Sequence, residues 1–327
     1  MLLLGLEFGG VTDPWGSVKV ICLIVFGLLT YGVFGFLEKF PTYPVIPYRI
    51  FNNLATVSVL VVVFFHGLCF IAIAFFLPLY FQLALGATPV LAGVWTLPGA
   101  ISLVFASIIN GFVIRATGRY LEIIRGCLAL LTLAMGLFTT FPGYQSWARI
   151  ILFEIIVGIA AGPPMQALVM AIQVLLPQQD VAVGTSTLGF VRQMATAISV
   201  VVCQVIFQSV LAGHANDLLA AGIPANLVTA LTGGSSIGAA DVGGALPDSQ
   251  RLIYESVVAD SMSKMWIFCT AAAGIGFLAS FGIRGVALSD QHVETKTGLR
   301  TDEEKRVELQ DETLKHDSSA DSKDSPV

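Results

Sequence analysis

Charge is scarce in this sequence. Asp, Glu, Lys and Arg make up 12% of its 327 residues, about half the ~25% usual in a soluble domain. With 55% hydrophobic residues and a mean hydropathy of +0.81, the chain is far too apolar for a soluble fold and reads as a membrane protein. The few charges are also unevenly spread. Of the 39, 17 follow Gly285, leaving 11 basic and 11 acidic residues before it, so the net charge of -5 describes the tail and not the body. No basic surface interleaved with aromatics is present, which excludes nucleic acid as a partner.

The patterns that support catalysis are missing as well. Four histidines, His66, His214, His292 and His316, are too scattered to make a site, and no HExxH or Walker Gly-Lys-Ser/Thr motif occurs. Cys22, Cys69, Cys127, Cys203 and Cys269 fall in five different apolar runs with no CxxC spacing. They read as small buried hydrophobes, with neither a zinc site nor a disulfide framework expected. The stretch GSSIG, Gly234 to Gly238, matches G-x-S-x-G but has no strand before it and no helix directly after it, so a hydrolase is not inferred. The chain is read as no enzyme, with no cofactor and no metal. No ring of charge or filter-like repeat suggests a channel. No secretory signal is expected either, since Met1 has no basic region behind it and no cleavage site after it.

What the sequence has is long apolar runs. A bilayer crossing takes about 20 residues, and seven stretches qualify as complete helices, at about 18–37, 54–83, 88–115, 119–141, 146–176, 181–212 and 263–285. Before them, MLLLGLEFGGVTDPW holds only half a span. Lys39, Arg49, Arg115, Arg119, Arg125 and Arg284 fall on one side of the resulting topology, and Lys19, Arg149 and Lys264 on the other. That bias puts the C-terminal tail in the cytosol and an acidic segment, 213–262, outside. Apolar residues at helical spacing in HANDLLAAGIPANLVTAL and DSQRLIYESVVADSMSKM predict two short amphipathic helices in that segment. The tail, dense in charge and poor in large apolar residues, reads as solvated.

Ionisable residues inside spans are few. Glu154 is the only carboxylate deep in a predicted span; an acid there either faces a cavity or is neutral and hydrogen-bonded to a neighbouring helix. Arg192, about eleven residues into its helix, either snorkels to the interface or faces a cavity and pairs with an acid or substrate. His66, between aromatics, is either a packing residue or a group that titrates in the pathway. Gln166 and Gln173, with Gln82, Asn110, Gln193, Gln204 and Gln208, add polar surface that either lines a cavity or bridges helices. In GIAAGPPMQ, Gly158 and Gly162 have the GxxxG spacing that permits close helix contact, while Pro163 breaks the helix at a place that can hinge or merely kink.

The stretch NGFVIRATGRY, Asn110 to Tyr120, sets Gly111, Arg115, Gly118 and Arg119 over a tight cytosolic turn. Its two glycines are expected to let the hairpin backbones approach closely, with Arg115 at a helix C-terminus where a cation complements the dipole. The Gly-x-x-x-Arg-x-x-Gly-Arg spacing resembles the loop motif repeated in each half of the major facilitator superfamily. The stretches FLPLYFQLALGATPVLAGVWTLPGAIS, SWARIILFEIIVGIAAGPPMQALVMAIQ, TSTLGFVRQMATAISVVVCQVIFQ and SKMWIF look like the second half of its fungal fourteen-helix drug:proton antiporters, over nearly the whole chain.

That resemblance implies an all-α integral membrane fold: a C-terminal six-helix bundle plus one linker helix and a truncated helix at the N-terminus. Residues 1–10 would be the end of that first linker helix, 11–53 the second linker helix and a cytosolic loop, 54–286 the six-helix half with 213–262 as an extracellular loop, and 287–327 the cytosolic tail. It answers the half-span at the start, since a preceding half would be missing. The implied function is export of drugs or fungal secondary metabolites in exchange for protons. Site residues would be Glu154, Arg192, His66, Gln166 and Gln173, and the partners a small-molecule substrate, protons, the bilayer, and a missing N-terminal half or a second copy. Location would be the plasma membrane, or else the vacuolar membrane. The alternative is a truncated, non-transporting fragment, or a half-carrier that acts only through association with a partner.

Overall fold

The computed structural model describes residues 4–5, 8–9, 13, 16–37, 51, 53–232 and 246–284. Helix α1 spans Val18–Leu37 and α2 spans Leu54–Leu83, at the expected bounds. The Asn53 side chain fixes the start of α2 by accepting from the Ala55 amide at 3.0 Å. The next span is two helices, α3 (Pro89–Trp95) and α4 (Leu97–Thr117), because Pro98 has no N–H to carry one helix through. Then come α5 (Tyr120–Phe138), α6 (Trp147–Leu175) and α7 (Val181–Gly213). Six helical stretches between Leu54 and Ser280 are long and apolar enough to cross a membrane; within α1 the described apolar run is the shorter Val18–Thr30.

The last span departs from the sequence reading. Helix α10 runs Asp248–Ser280, so it starts fifteen residues before the expected 263 and absorbs the second amphipathic helix. Beyond Asp248 at its start, Arg251, Glu255, Asp260 and Lys264 break the apolar run in its first half, yet none breaks the helix. Spaced four apart, they pair along it, Arg251 Nε to Glu255 at 2.7 Å and Lys264 to Asp260 at 3.8 Å. Glu255 and Asp260 thus lie in the first half of a membrane-length helix. The other expected short helix is two, α8 (Ala215–Ala220) and α9 (Ala225–Thr232), parted by Gly222 at φ +82. The Gly-rich stretch with Gly234 to Gly238, the loop with Lys39 and Arg49, and the tail 287–327 lie outside the described residues.

Helix α6 is central. It packs on α4 and α5 most extensively and also on α2 and α7, while α10 closes the other side against α2, α5 and α7. Helices α2 and α4 make almost no direct contact. One end of the bundle is filled by stacked aromatics: Tyr80 on Phe141 at 5.0 Å, Phe141 on Phe138 at 4.8 Å, and Phe138 edge-on to Trp266 at 5.1 Å. These rings supply large buried area and fixed mutual geometry.

Candidate functional site

The hub of the bundle is a break in the hydrogen-bond ladder of α6, a helix that itself runs on through it. Pro163 and Pro164 sit inside this helix, and without their N–H groups the carbonyls of Ile159 and Ala160, four residues earlier, lose their helical donors. Three polar side chains from three other helices converge on carbonyls around the break. His66 Nε2 of α2 donates to Ala161 O at 2.9 Å, Asn110 Nδ2 of α4 to Pro163 O at 3.2 Å, and Arg192 Nη2 of α7 to Met165 O at 3.4 Å. His66 and Asn110 are 1% and 5% exposed. The ring of His66 also stacks on Phe70 at 6.3 Å. The expected pathway histidine is thus a helix-bridging donor, and Asn110, read as helix-face polarity, clamps the break.

The two glycines of GIAAGPPMQ lie where α6 faces α4. A Cβ on Gly158 would collide with Ser102 Oγ and the Gly99 carbonyl, and one on Gly162 would lie 2.6 Å from Leu103 O. Their absence lets α4 and α6 approach backbone to backbone. The loop glycines behave differently. Neither Gly111 nor Gly118 has an atom within 4 Å of where a Cβ would stand, so close approach is not their role. Gly118 takes φ +68 and its amide donates to Ile114 O at 2.8 Å, closing α4 with a left-handed cap. Arg115 lies in the last turn of α4, and Arg119 faces Glu122 at 3.6 Å in an exposed pair.

Glu154 lies two turns before the break, fully buried. Its Cβ stands against Gly99 of α4. The Gly99 backbone is its polar neighbour, but neither carboxyl oxygen reaches hydrogen-bonding geometry with any described group. Beside it, the gap between α2 and α4 is a cavity of about 280 Å³ floored by α6 and lined by Phe70, Leu77, Pro78, Thr96, Leu103 and Val157 among others. Its walls are almost wholly apolar. Ala161 and Gly158 reach into the same wall, so this space adjoins both the proline break and the helix contact.

The fold therefore brings His66, Arg192, Gly162 and Pro163 together and holds Glu154 nearby on α6. Gln166 and Gln173 share an exposed face of α6, outside the cavity lining. Sequence reading missed the cavity residues, of which Pro78 is one. It also missed two further bridges: Ser199 Oγ donates to Leu68 O at 2.7 Å, and the sulfurs of Cys203 and Cys269 are 3.8 Å apart.

At the far end of α7, His214 bridges two acids, Nδ1 to Asp217 at 2.9 Å and Nε2 to Asp260 at 3.4 Å. The hydrogen bond to Asp217, and then that to Asp260, hold its pKa above the ordinary histidine value.

No family model matches the chain. Individual curated proteins do. "Efflux pump dotC" of Dothistroma septosporum is 40% identical over 300 residues, covering 91% of this chain and 51% of that protein. "MFS-type transporter ppz2" of Metarhizium majus is 38% identical over 320 residues, 97% of this chain and 55% of that protein. "MFS-type efflux pump MFS1" of Trichophyton rubrum is 29% identical over 299 residues, 90% and 54% respectively. The chain spans about half the length of the curated relatives it matches.

Proposed function

The chain belongs to the major facilitator superfamily, among its fungal MFS-type transporters, as a multi-pass membrane protein, and from that premise we propose that it is the C-terminal half of a proton-coupled exporter of small organic molecules. Such carriers hold cargo between two six-helix halves and rock one half against the other. The second half is a partner that the additional length of the relatives corresponds to, or a second copy of this chain. The membrane is the plasma membrane, with the C-terminus cytosolic.

One observation supports this reading best. Beside a cavity with almost no polar wall lies a fully buried carboxyl without a hydrogen-bond partner. A carboxylate in such a place is stable only if it takes up a proton or meets a cation, which is the property a proton-coupled carrier uses. The apolar cavity suits an organic cargo. Around it, the small-residue contact of α4 with α6 and the clamped proline break supply a rigid pair of helices and one place where α6 can bend.

The test is efflux of a lipophilic dye from yeast that lacks its own exporters and co-expresses this chain with the N-terminal half of a full-length relative, followed across external pH. Expression is expected to lower dye retention more at acid than at neutral external pH, and Glu154→Gln to flatten that dependence. Dye retention equal to the empty vector at every pH removes the exporter reading, and an unchanged pH profile in Glu154→Gln removes the proton-coupling role.

A further inference from the structure

We propose that Arg192 is a binding position for an anionic oxygen group, a carboxylate, phenolate or sulfonate, on a molecule that docks where α6 and α7 meet; this rests on the transport reading above and names the charge of the cargo it takes. The guanidinium sits inside a membrane-length helix, and no carboxylate among the described residues lies within ion-pairing distance of it. Its one hydrogen bond is the 3.4 Å contact to the Met165 carbonyl, and its Nε is buried without a partner. A cation in hydrocarbon is held at a steep cost unless an opposite charge meets it. Here the fold supplies a carbonyl, and the counter-charge has to come from outside the fold.

The position is built rather than accidental. The Arg192 stem passes beside Gly67 of α2, where an added Cβ would touch its Cγ at 3.5 Å. The Met165 contact turns the head across to α6, beside the break. His66, tied to Ala161, lies near Arg192 on the same stretch of α6. Arg192 is only partly buried, and Gln166, next to Met165 in the chain, is exposed. An anion arriving at this surface meets a planar guanidinium donor with free N–H capacity, the kind of donor that binds oxyanions well. Glu154, on α6 and buried against α4, is apart from Arg192 on α7, so a buried acid and a base without a counter-ion are presented by two different helices.

The experiment uses the purified full chain in phosphatidylcholine nanodiscs with two matched fluorescent probes, anionic 1-anilinonaphthalene-8-sulfonate and uncharged N-phenyl-1-naphthylamine. Wild type is expected to bind the sulfonate saturably, Arg192→Gln to weaken it by about tenfold, and Arg192→Lys, which keeps the charge, to weaken it by less than about threefold. The uncharged probe should bind all three alike. Sulfonate binding that is absent in wild type, or unchanged in Arg192→Gln, or lost together with the uncharged probe in a correctly folded variant, overturns the proposal. Adding phosphatidylserine to the nanodiscs separates the sources. If it weakens sulfonate binding in wild type but not in Arg192→Gln, a lipid headgroup occupies the site; if it has no effect, a soluble organic acid does. Retention of both probes by yeast co-expressing the chain with the N-terminal half of a full-length relative is read in parallel. Retention equal to the empty vector removes the transport reading, whereas the nanodisc result alone decides the anion site.

Discussion

His66 Nε2 and the Ala161 carbonyl stand 2.9 Å apart, and that bond joins the first helix of the bundle core to the break in its central helix. Both groups are buried, so removing the ring deletes a buried bond between helices and leaves a void. His66→Ala should destabilise the chain by about 1–3 kcal/mol, measured as a lowered Tm in detergent. His66→Gln, which can still donate, should recover part of the loss. Equal effects of the two substitutions would mean that stacking on Phe70, and not the hydrogen bond, is what His66 contributes.

Glycines 162 and 111 lie on neighbouring helices, and the structure assigns them opposite responses to the same change. At Gly162 a methyl group would meet Leu103 O and Ser107 Oγ, and forcing α4 away from α6 should cost about 1–3 kcal/mol or more. At Gly111 there is open space in the middle of a helix, so Gly111→Ala should stabilise by about 0.5–1 kcal/mol through helix propensity alone. Tm values of the two variants, measured in the same detergent, check the sign as well as the size.

Most of the span layout was legible in the sequence because hydrocarbon imposes one rule, a long apolar run, and α2, α6 and α7 obey it to within a residue or two. The last helix was misread for a physical reason. Hydropathy counts charge as interruption, but Arg251 with Glu255 and Asp260 with Lys264 are helix-compatible pairs one turn apart, and Pro247 rather than any charge marks the start. GxxxG spacing told that Gly158 and Gly162 would be at a contact, since only backbone approach needs two small residues on one face. It could not tell that Asn110 would clamp Pro163, because a bond across 53 residues depends on which helix lies beside which. The cavity was illegible for the same reason; it exists where α2 and α4 fail to touch, and an absence of contact leaves no pattern in either helix.

His214 gives a pH-dependent link between the end of α7 and α10. Its pKa is raised above the ordinary histidine value of about 6.5 by the bonds to Asp217 and Asp260. A raised folded-state pKa stabilises the protonated form. The contribution is fully present below the unfolded value and fades as pH rises through the folded one. Because the ring is about a third exposed, solvent screening keeps the effect modest. In nanodiscs, the His214 carbon signal should titrate with a midpoint above about 6.5, and Asp217→Asn should lower that midpoint more than Asp260→Asn does. A midpoint at the ordinary value in wild type would show that neither acid holds the ring.

The break itself makes the last prediction. Replacing Pro163 and Pro164 by alanine restores two N–H groups, which would rejoin the carbonyls of Ile159 and Ala160 and straighten α6. In an isolated helix that would be a clear gain. Here a straight α6 would move the carbonyls of Ala161, Pro163 and Met165 away from His66, Asn110 and Arg192, each of which then loses a partner in a place without water. The gain within the helix and the loss between helices oppose each other, so the Tm of the double variant should shift little. Amide exchange between residues 159 and 168 should nevertheless slow, because a continuous helix opens less readily than a broken one. Adding Asn110→Ala separates the two terms. In wild type it should lower Tm by deleting the buried bond to the Pro163 carbonyl, whereas in the variant without prolines, where that bond is already stretched, it should cost much less. Equal costs in both backgrounds would mean that α6 stays bent without its prolines, and that the three donors, rather than the two rings, set its shape.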